Sequence, residues 1–288
     1  MKKNALGKTG IEISAVAFGG IVTTYETPED CARYVSYAIE HGVNYFDVAP
    51  HIDYGDAQVK LSGALAPYRK DVYLGCKSMI RDAGVEAELH NSLKVLKTDY
   101  FDLYQLHELK STEEVEAVFA PGGAMEIIER AKEEGLIRHI GLTAHNEDAA
   151  IQALEYYDFE TVMFPVNWAL NLDRGYGDRL ISICKSGDIG ILAIKALAHR
   201  KLLDENEQQR EPKAWVKTIY DNDELAIAAI KYTLSKGVDS IIPPGNFAQF
   251  SFVVEHIEGC LANPLNDDDI KFLEKELELI EGRHIFDY

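Results

Sequence analysis

Short apolar runs alternate with longer amphipathic segments along nearly the whole chain, and this alternation leaves few folds open. The runs fall at 15–19, 44–47, 72–76, 101–106, 140–143, 161–165, 190–194 and 240–242. They lack the apolar-polar alternation of a half-exposed strand, as expected of parallel strands buried on both faces. Segments of helical period lie between them at 30–41, 56–65, 85–96, 123–135, 147–156, 177–186 and 223–235, followed by C-terminal helices at 247–259 and 267–281. Eight strand-helix units in 288 residues predict an α/β chain folded as one (β/α)8 TIM barrel, a single domain over 1–288. Asp30, Asn146 and Asp223 are placed to cap helix starts, and Gly42, Gly135, Gly187 and Gly237 to end helices in the left-handed region. Residues 6–14 read as an N-terminal β-hairpin that plugs the barrel floor.

Composition narrows the partners. A formal charge of −19 opposes nucleic-acid backbones and anionic membrane surfaces. Cys31, Cys76, Cys184 and Cys260 are widely scattered, so no metal or cluster motif is expected and a reducing compartment suits them. The opening MKKNALGKTG has no apolar core of a signal peptide, and no run is long enough to span a bilayer, so a cytoplasmic protein is expected.

In such barrels chemistry collects at the C-terminal ends of the strands. Four ionisable residues stand at neighbouring ends: Asp47, Tyr54, Lys77 and His107. Each alone has a bland explanation, but together they converge on one mouth. A phenol is a poor acid at neutral pH, and an adjacent ammonium lowers its pKa. Lys77 can supply that charge, Asp47 can keep Lys77 protonated, and His107 can orient a substrate oxygen.

The strings Asn44-Tyr45-Phe46-Asp47-Val48-Ala49-Pro50, Tyr54-Gly55-Asp56, Leu74-Gly75-Cys76-Lys77, Phe101-Asp102-Leu103-Tyr104-Gln105-Leu106-His107 and Arg138-His139-Ile140-Gly141-Leu142-Thr143 resemble the aldo-keto reductases in order and spacing. The resemblance covers nearly the whole chain. It implies an oxidoreductase that interconverts a carbonyl and an alcohol with NAD or NADP, and its Asp, Tyr, Lys and His tetrad matches Asp47, Tyr54, Lys77 and His107. Residues 120–124 and 194–198 are similar to a branch with a Met-Lys-Pro-Leu stretch on strand 7, some members of which carry a C-terminal iron–sulfur extension that is not expected here. The family spacing places the acid at position 52, which is Ile; Tyr comes at 54, with Asp53 and His51 as alternatives.

The resemblance also marks a cofactor site. Its carboxamide-binding and nicotinamide-stacking positions hold Thr143, Ala144, Met163 and Ile194, with His145 and Asn167 as substitutes. Lys195 is nearest to a pyrophosphate, and Pro244, Gly245 and Asn246 match the loop before a helix N-terminus that suits an anion. From 241 to 255 there is no Lys or Arg to grip a 2′-phosphate, so NAD or dual use is expected. The expected partner is a small carbonyl or alcohol substrate. Two alternatives remain open: a cofactor-binding barrel with little turnover, and a non-redox isomerase or lyase.

Overall fold

Eight parallel strands lie side by side in chain order, and a bridge between the first and last closes them into a ring. The computed structural model describes residues 1–50, 54–210 and 213–286. A hairpin of β1 (Lys3–Ala5) and β2 (Glu12–Ser14) leads into β3 (Phe18–Gly19), β4 (Tyr45–Asp47), β5 (Tyr73–Ser78) and β6 (Phe101–Leu109). The sheet continues through β7 (Ile137–Ala144), β8 (Thr161–Pro165) and β9 (Gly190–Ile194). After a second hairpin, β10 (Ala198–Arg200) with β11 (Lys217–Thr218), it ends at β12 (Ser240–Ile241). Val16 pairs with Ile241 in parallel, and the Ala17 and Ile241 amides donate to Ile241 and Ala15 carbonyls at 2.9 Å. The expected barrel is therefore closed.

The helices are α1 (Pro28–Glu40), α2 (Ala57–Leu65), α3 (Val85–Leu96), α4 (Thr112–Phe119), α5 (Ala124–Glu133) and α6 (Glu147–Tyr156). They continue with α7 (Trp168–Arg174), α8 (Asp178–Ser186), α9 (Glu205–Arg210), α10 (Asp223–Ser235), α11 (Phe247–Ala262) and α12 (Asp267–Ile280). The expected helices at 85–96, 147–156 and 223–235 form with those bounds. The sequence pattern missed α4, α7, α9 and the short strand β11, the last two within a polar segment 201–223 that reads as a loop. Their few residues leave little periodicity to detect, and α4 and α7 are set by their caps, Ser111 and Asn167. Two expected caps shift. Thr27, not Asp30, caps α1, and Asn222, not Asp223, caps α10, because the acceptor must lie two or three residues before the amide it receives. Gly42, Gly135 and Gly237 do turn left-handed, whereas after α8 that conformation falls on Asp188 rather than Gly187.

Two apolar layers result. The larger lies between strands and helices. The smaller fills the barrel floor, where Leu6, Ile11 and Ile13 of the hairpin pack against Tyr45, Leu103, Met163 and Leu192, so the hairpin is the expected plug. Burying each such side chain contributes roughly 1.5–3 kcal/mol.

Glu160 fastens three strands at the same end. It receives His139 Nδ1 at 2.7 Å, Lys132 Nζ at 2.8 Å and the Ile140 amide at 3.0 Å, while its carbonyl accepts from Gly190. Burial alone would raise its pKa, but these bonds outweigh it and hold the carboxyl down to about 2. A depressed carboxyl stabilises the fold above its ordinary titration near 4.5, and that stability is lost as pH falls towards about 2. Glu160→Gln is expected to cost roughly 2 kcal/mol at neutral pH, the scale of a charged hydrogen bond, and to flatten stability between those two pH values. Urea unfolding across that range measures both.

Candidate active site

The ends of β4, β5 and β6 bring three of the four expected residues to one point, and the turn after β4 delivers the fourth. Asp47 is the last residue of β4, Lys77 lies in β5, and the strands pair in register so that Asp47 sits opposite Gly75. Lys77 Nζ donates to Asp47 Oδ2 with both side chains almost sealed, at 1% and 2% exposure. Lys77 also hydrogen-bonds the Tyr54 hydroxyl, and its Nζ stands 5.2 Å from the centre of the Tyr54 ring. His107 meets that ring edge-on at 6.2 Å. Residues 51–53 lie outside the described residues, so His51, Ile52 and Asp53 have no structural account. Tyr54 itself is anchored by its amide to Pro50 O and by its carbonyl to Thr24 Oγ1.

Electrostatics follow from this burial. Desolvation works to lower the Lys77 pKa, but the Asp47 carboxylate and the Tyr54 hydroxyl outweigh it and hold the ammonium above the ordinary lysine range. A permanent positive charge is thereby fixed beside a phenol, which favours its ionised form.

Above the tetrad opens a cavity of about 450 Å³. Thr143, His145, Met163, Ile194 and Lys195 line one side, and Pro243, Pro244 and Gly245 line another. Burial lowers the Lys195 pKa to about 8, against the pull of Glu108. Thr143, which lines the cavity, accepts the Glu108 amide on its Oγ1 at 2.6 Å. A Cβ on Gly245 would stand 2.5 Å from the Lys213 carbonyl, so only glycine lets these two segments meet over the site.

A family model described as the Aldo/keto reductase family matches residues 15–275. The chain belongs to the aldo/keto reductase family. Among its relatives, an uncharacterised oxidoreductase of Bacillus subtilis (strain 168) is 24% identical over 95% of this chain and 96% of that protein. The L-galactose dehydrogenase of Arabidopsis thaliana is 26% identical over 81% of this chain and 75% of its own length. The holo form of an aldo-keto reductase from Bacillus halodurans shares the fold, with a TM-score of 0.70 at 20% identity, covering 96% of both chains.

Within this aldo/keto reductase barrel, two residues expected at the cofactor stand apart from the cavity wall. Asn167 accepts the Leu170 amide and donates to the Lys195 and Ala198 carbonyls, so its whole amide is spent on capping α7 and pinning the turn after β9. Asn246 caps α11 through the Gln249 amide and donates to Gln249 Oε1. Both shape the cavity from behind. Conversely, sequence reading singled out none of Glu108, Lys213, Trp215, Ile285 and Phe286, all of which line the cavity, although the polar segment 201–223 that carries Lys213 and Trp215 reads as a long loop able to cover the cofactor. Glu108 pairs with His145 Nδ1 at 3.2 Å, and that bond holds its pKa down to about 2. Trp215 lies 6.2 Å from Tyr54, nearly parallel, and Lys195 Nζ stands 5.4 Å from its ring centre. For Lys213, Trp215 and Phe286 the one available signal was a charged or aromatic residue far from any strand end, which periodicity does not rank, whereas Glu108 directly follows His107 at the end of β6 and Ile285 carries no polar signal.

The two halves of the buried pair are not equivalent. Asp47 keeps other donors when Lys77 is removed, whereas Lys77 loses its carboxylate when Asp47 is replaced. Asp47→Asn is therefore expected to cost about 3–5 kcal/mol in urea unfolding, and Lys77→Met distinctly less.

Proposed function

We propose that this aldo/keto reductase interconverts a small-molecule carbonyl and its alcohol with Tyr54 as general acid and base. The observation that carries the reading is the Lys77 ammonium, held by Asp47 and set under the Tyr54 ring. In the reducing direction Tyr54 gives its hydroxyl proton to the substrate oxygen while the carbonyl carbon gains a hydride, and the phenolate left behind is stabilised by Lys77. In this reading His107 orients the same oxygen, a role supported by its edge-on approach to the Tyr54 ring. In oxidation Tyr54 phenolate takes the alcohol proton back.

The cavity suits a nicotinamide dinucleotide, which supplies or takes the hydride when bound. Thr143 would face its carboxamide, Met163 and Ile194 offer an apolar wall to the ring, and Lys195 with the segment Pro243 to Gly245 would receive the phosphates. NAD or dual use is favoured over NADP alone. Two cations do stand near the loop, Lys213 beside Gly245 and Arg33 at 5.8 Å from the Phe247 ring, but they are already paired with Glu26 and Asp30. A 2′-phosphate would have to compete with those carboxylates.

Tyr54→Phe is expected to keep cofactor affinity and lower turnover by at least ~100-fold, the usual scale for losing a general acid. Steady-state kinetics paired with fluorescence titration separates the two, and an unimpaired Tyr54→Phe variant removes Tyr54 from the chemistry. NADH should bind at least as tightly as NADPH. For either nucleotide, affinity should fall as pH rises through about 8, where Lys195 loses the proton that pairs with phosphate, and Lys195→Met should abolish that dependence.

A further inference from the structure

Beneath the tetrad, the barrel floor holds two polar side chains that have no place in an apolar plug. Tyr45 is buried among Leu103, Met163, Leu192 and their neighbours, and Gln105, opposite Lys77 in the pairing of β5 with β6, is fully buried. Gln105 Nε2 donates to Asp47 Oδ1 at 2.9 Å, and the Tyr45 hydroxyl donates to the same oxygen at 3.4 Å. Asp47 Oδ2 is left for Lys77. The carboxylate is thus divided, one oxygen facing the floor and the other facing the ammonium.

The neighbouring strands make room for this arrangement. A Cβ at Gly75 would stand 2.2 Å from the Tyr45 hydroxyl and 3.2 Å from Asp47 Oδ1, and a Cβ at Gly141 would press to 3.3 Å on Gln105 Cγ. The Gln105 amide also accepts a penalty to serve Asp47. Its Oε1 is buried without a hydrogen-bond partner, and flipping the amide would set two oxygens against each other.

We propose that Tyr45 and Gln105 are positioning residues that hold the Asp47 carboxylate from inside the barrel and thereby set how strongly Lys77 favours the ionised Tyr54. The proposal rests on the proton-transfer role given above to Tyr54 and deepens it. Both donors draw off part of the negative charge of Asp47. Without them the carboxylate would cancel more of the Lys77 charge, and the Tyr54 phenolate would become less favourable. The other titratable groups around this layer are His107 beside Tyr54, Cys76 and Asp102 acting on Tyr45 from the neighbouring strands, and Lys195 across the cavity beyond Trp215.

The test uses the full chain labelled with 13Cζ-tyrosine, with the Tyr54 resonance assigned from its loss in Tyr54→Phe. In Tyr45→Phe and in Gln105→Met, each close to its parent in size, the Tyr54 titration midpoint should rise by about half to one pH unit, the scale of a nearby partial charge. The alkaline rise of alcohol oxidation should move with it, with cofactor affinity unchanged. Leu103→Val, a packing change in the same floor, should leave the midpoint in place. Midpoints equal to the parent's in both donor variants, or an equal rise in Leu103→Val, would overturn the proposal. A shifted midpoint in a protein whose Tyr54→Phe variant turns over normally would uphold the floor network and sink the proton-transfer reading, so the two failures are distinguishable.

Discussion

A buried ammonium paired with a buried carboxylate is the interaction around which this molecule is organised. Neither Lys77 nor Asp47 could be left alone at such burial, because removing an ion from water costs several kcal/mol. The pair therefore demands two strands locked in register, a polar floor for the second carboxylate oxygen, and a hydroxyl at the ammonium's open side. β4 and β5 meet the first demand, Tyr45 and Gln105 the second, and Tyr54 the third.

The barrel meets these demands by separating its two ends. At the floor, the hairpin plug and the Glu160 clasp are built for rigidity, with apolar contacts and short charged hydrogen bonds. At the mouth, loops supply the wall: Trp215 from the segment between the hairpin strands β10 and β11, Phe286 near the end of the chain, and Gly245 after β12. A rigid floor lets the loops at the mouth vary without disturbing the strands.

Charge at the mouth is arranged with similar economy. Glu108, at the end of β6, is held ionised by His145, and its carboxylate is the main opposition to the loss of a proton by Lys195. Lys213 and Arg33 approach the loop after β12 from distant parts of the chain, each already matched by a carboxylate. The net charge of −19 thus coexists with a cavity whose wall carries Lys77 and Lys213, each paired with a carboxylate, and Lys195.

The sequence by itself determined the barrel and the meeting of Asp47, Lys77 and His107 near its mouth. Continuous apolar runs without alternation suit parallel strands covered on both faces, and that topology brings the strand-end residues Asp47, Lys77 and His107 together, whereas Tyr54 reaches them only through the turn after β4 that Pro50 and Thr24 hold. What the tertiary structure decided lies off the strand ends. Asn167 and Asn246 sit where the family's cofactor residues would be sought, yet their amides are consumed by helix caps, a choice made by backbone geometry that no spacing reveals. Lys213 and Trp215 lie far along the chain from the tetrad and reach it only because a hairpin folds back over the mouth. The floor donors Tyr45 and Gln105 point inward or outward by the two-residue alternation of a strand, and only the closed barrel shows that inward means towards Asp47.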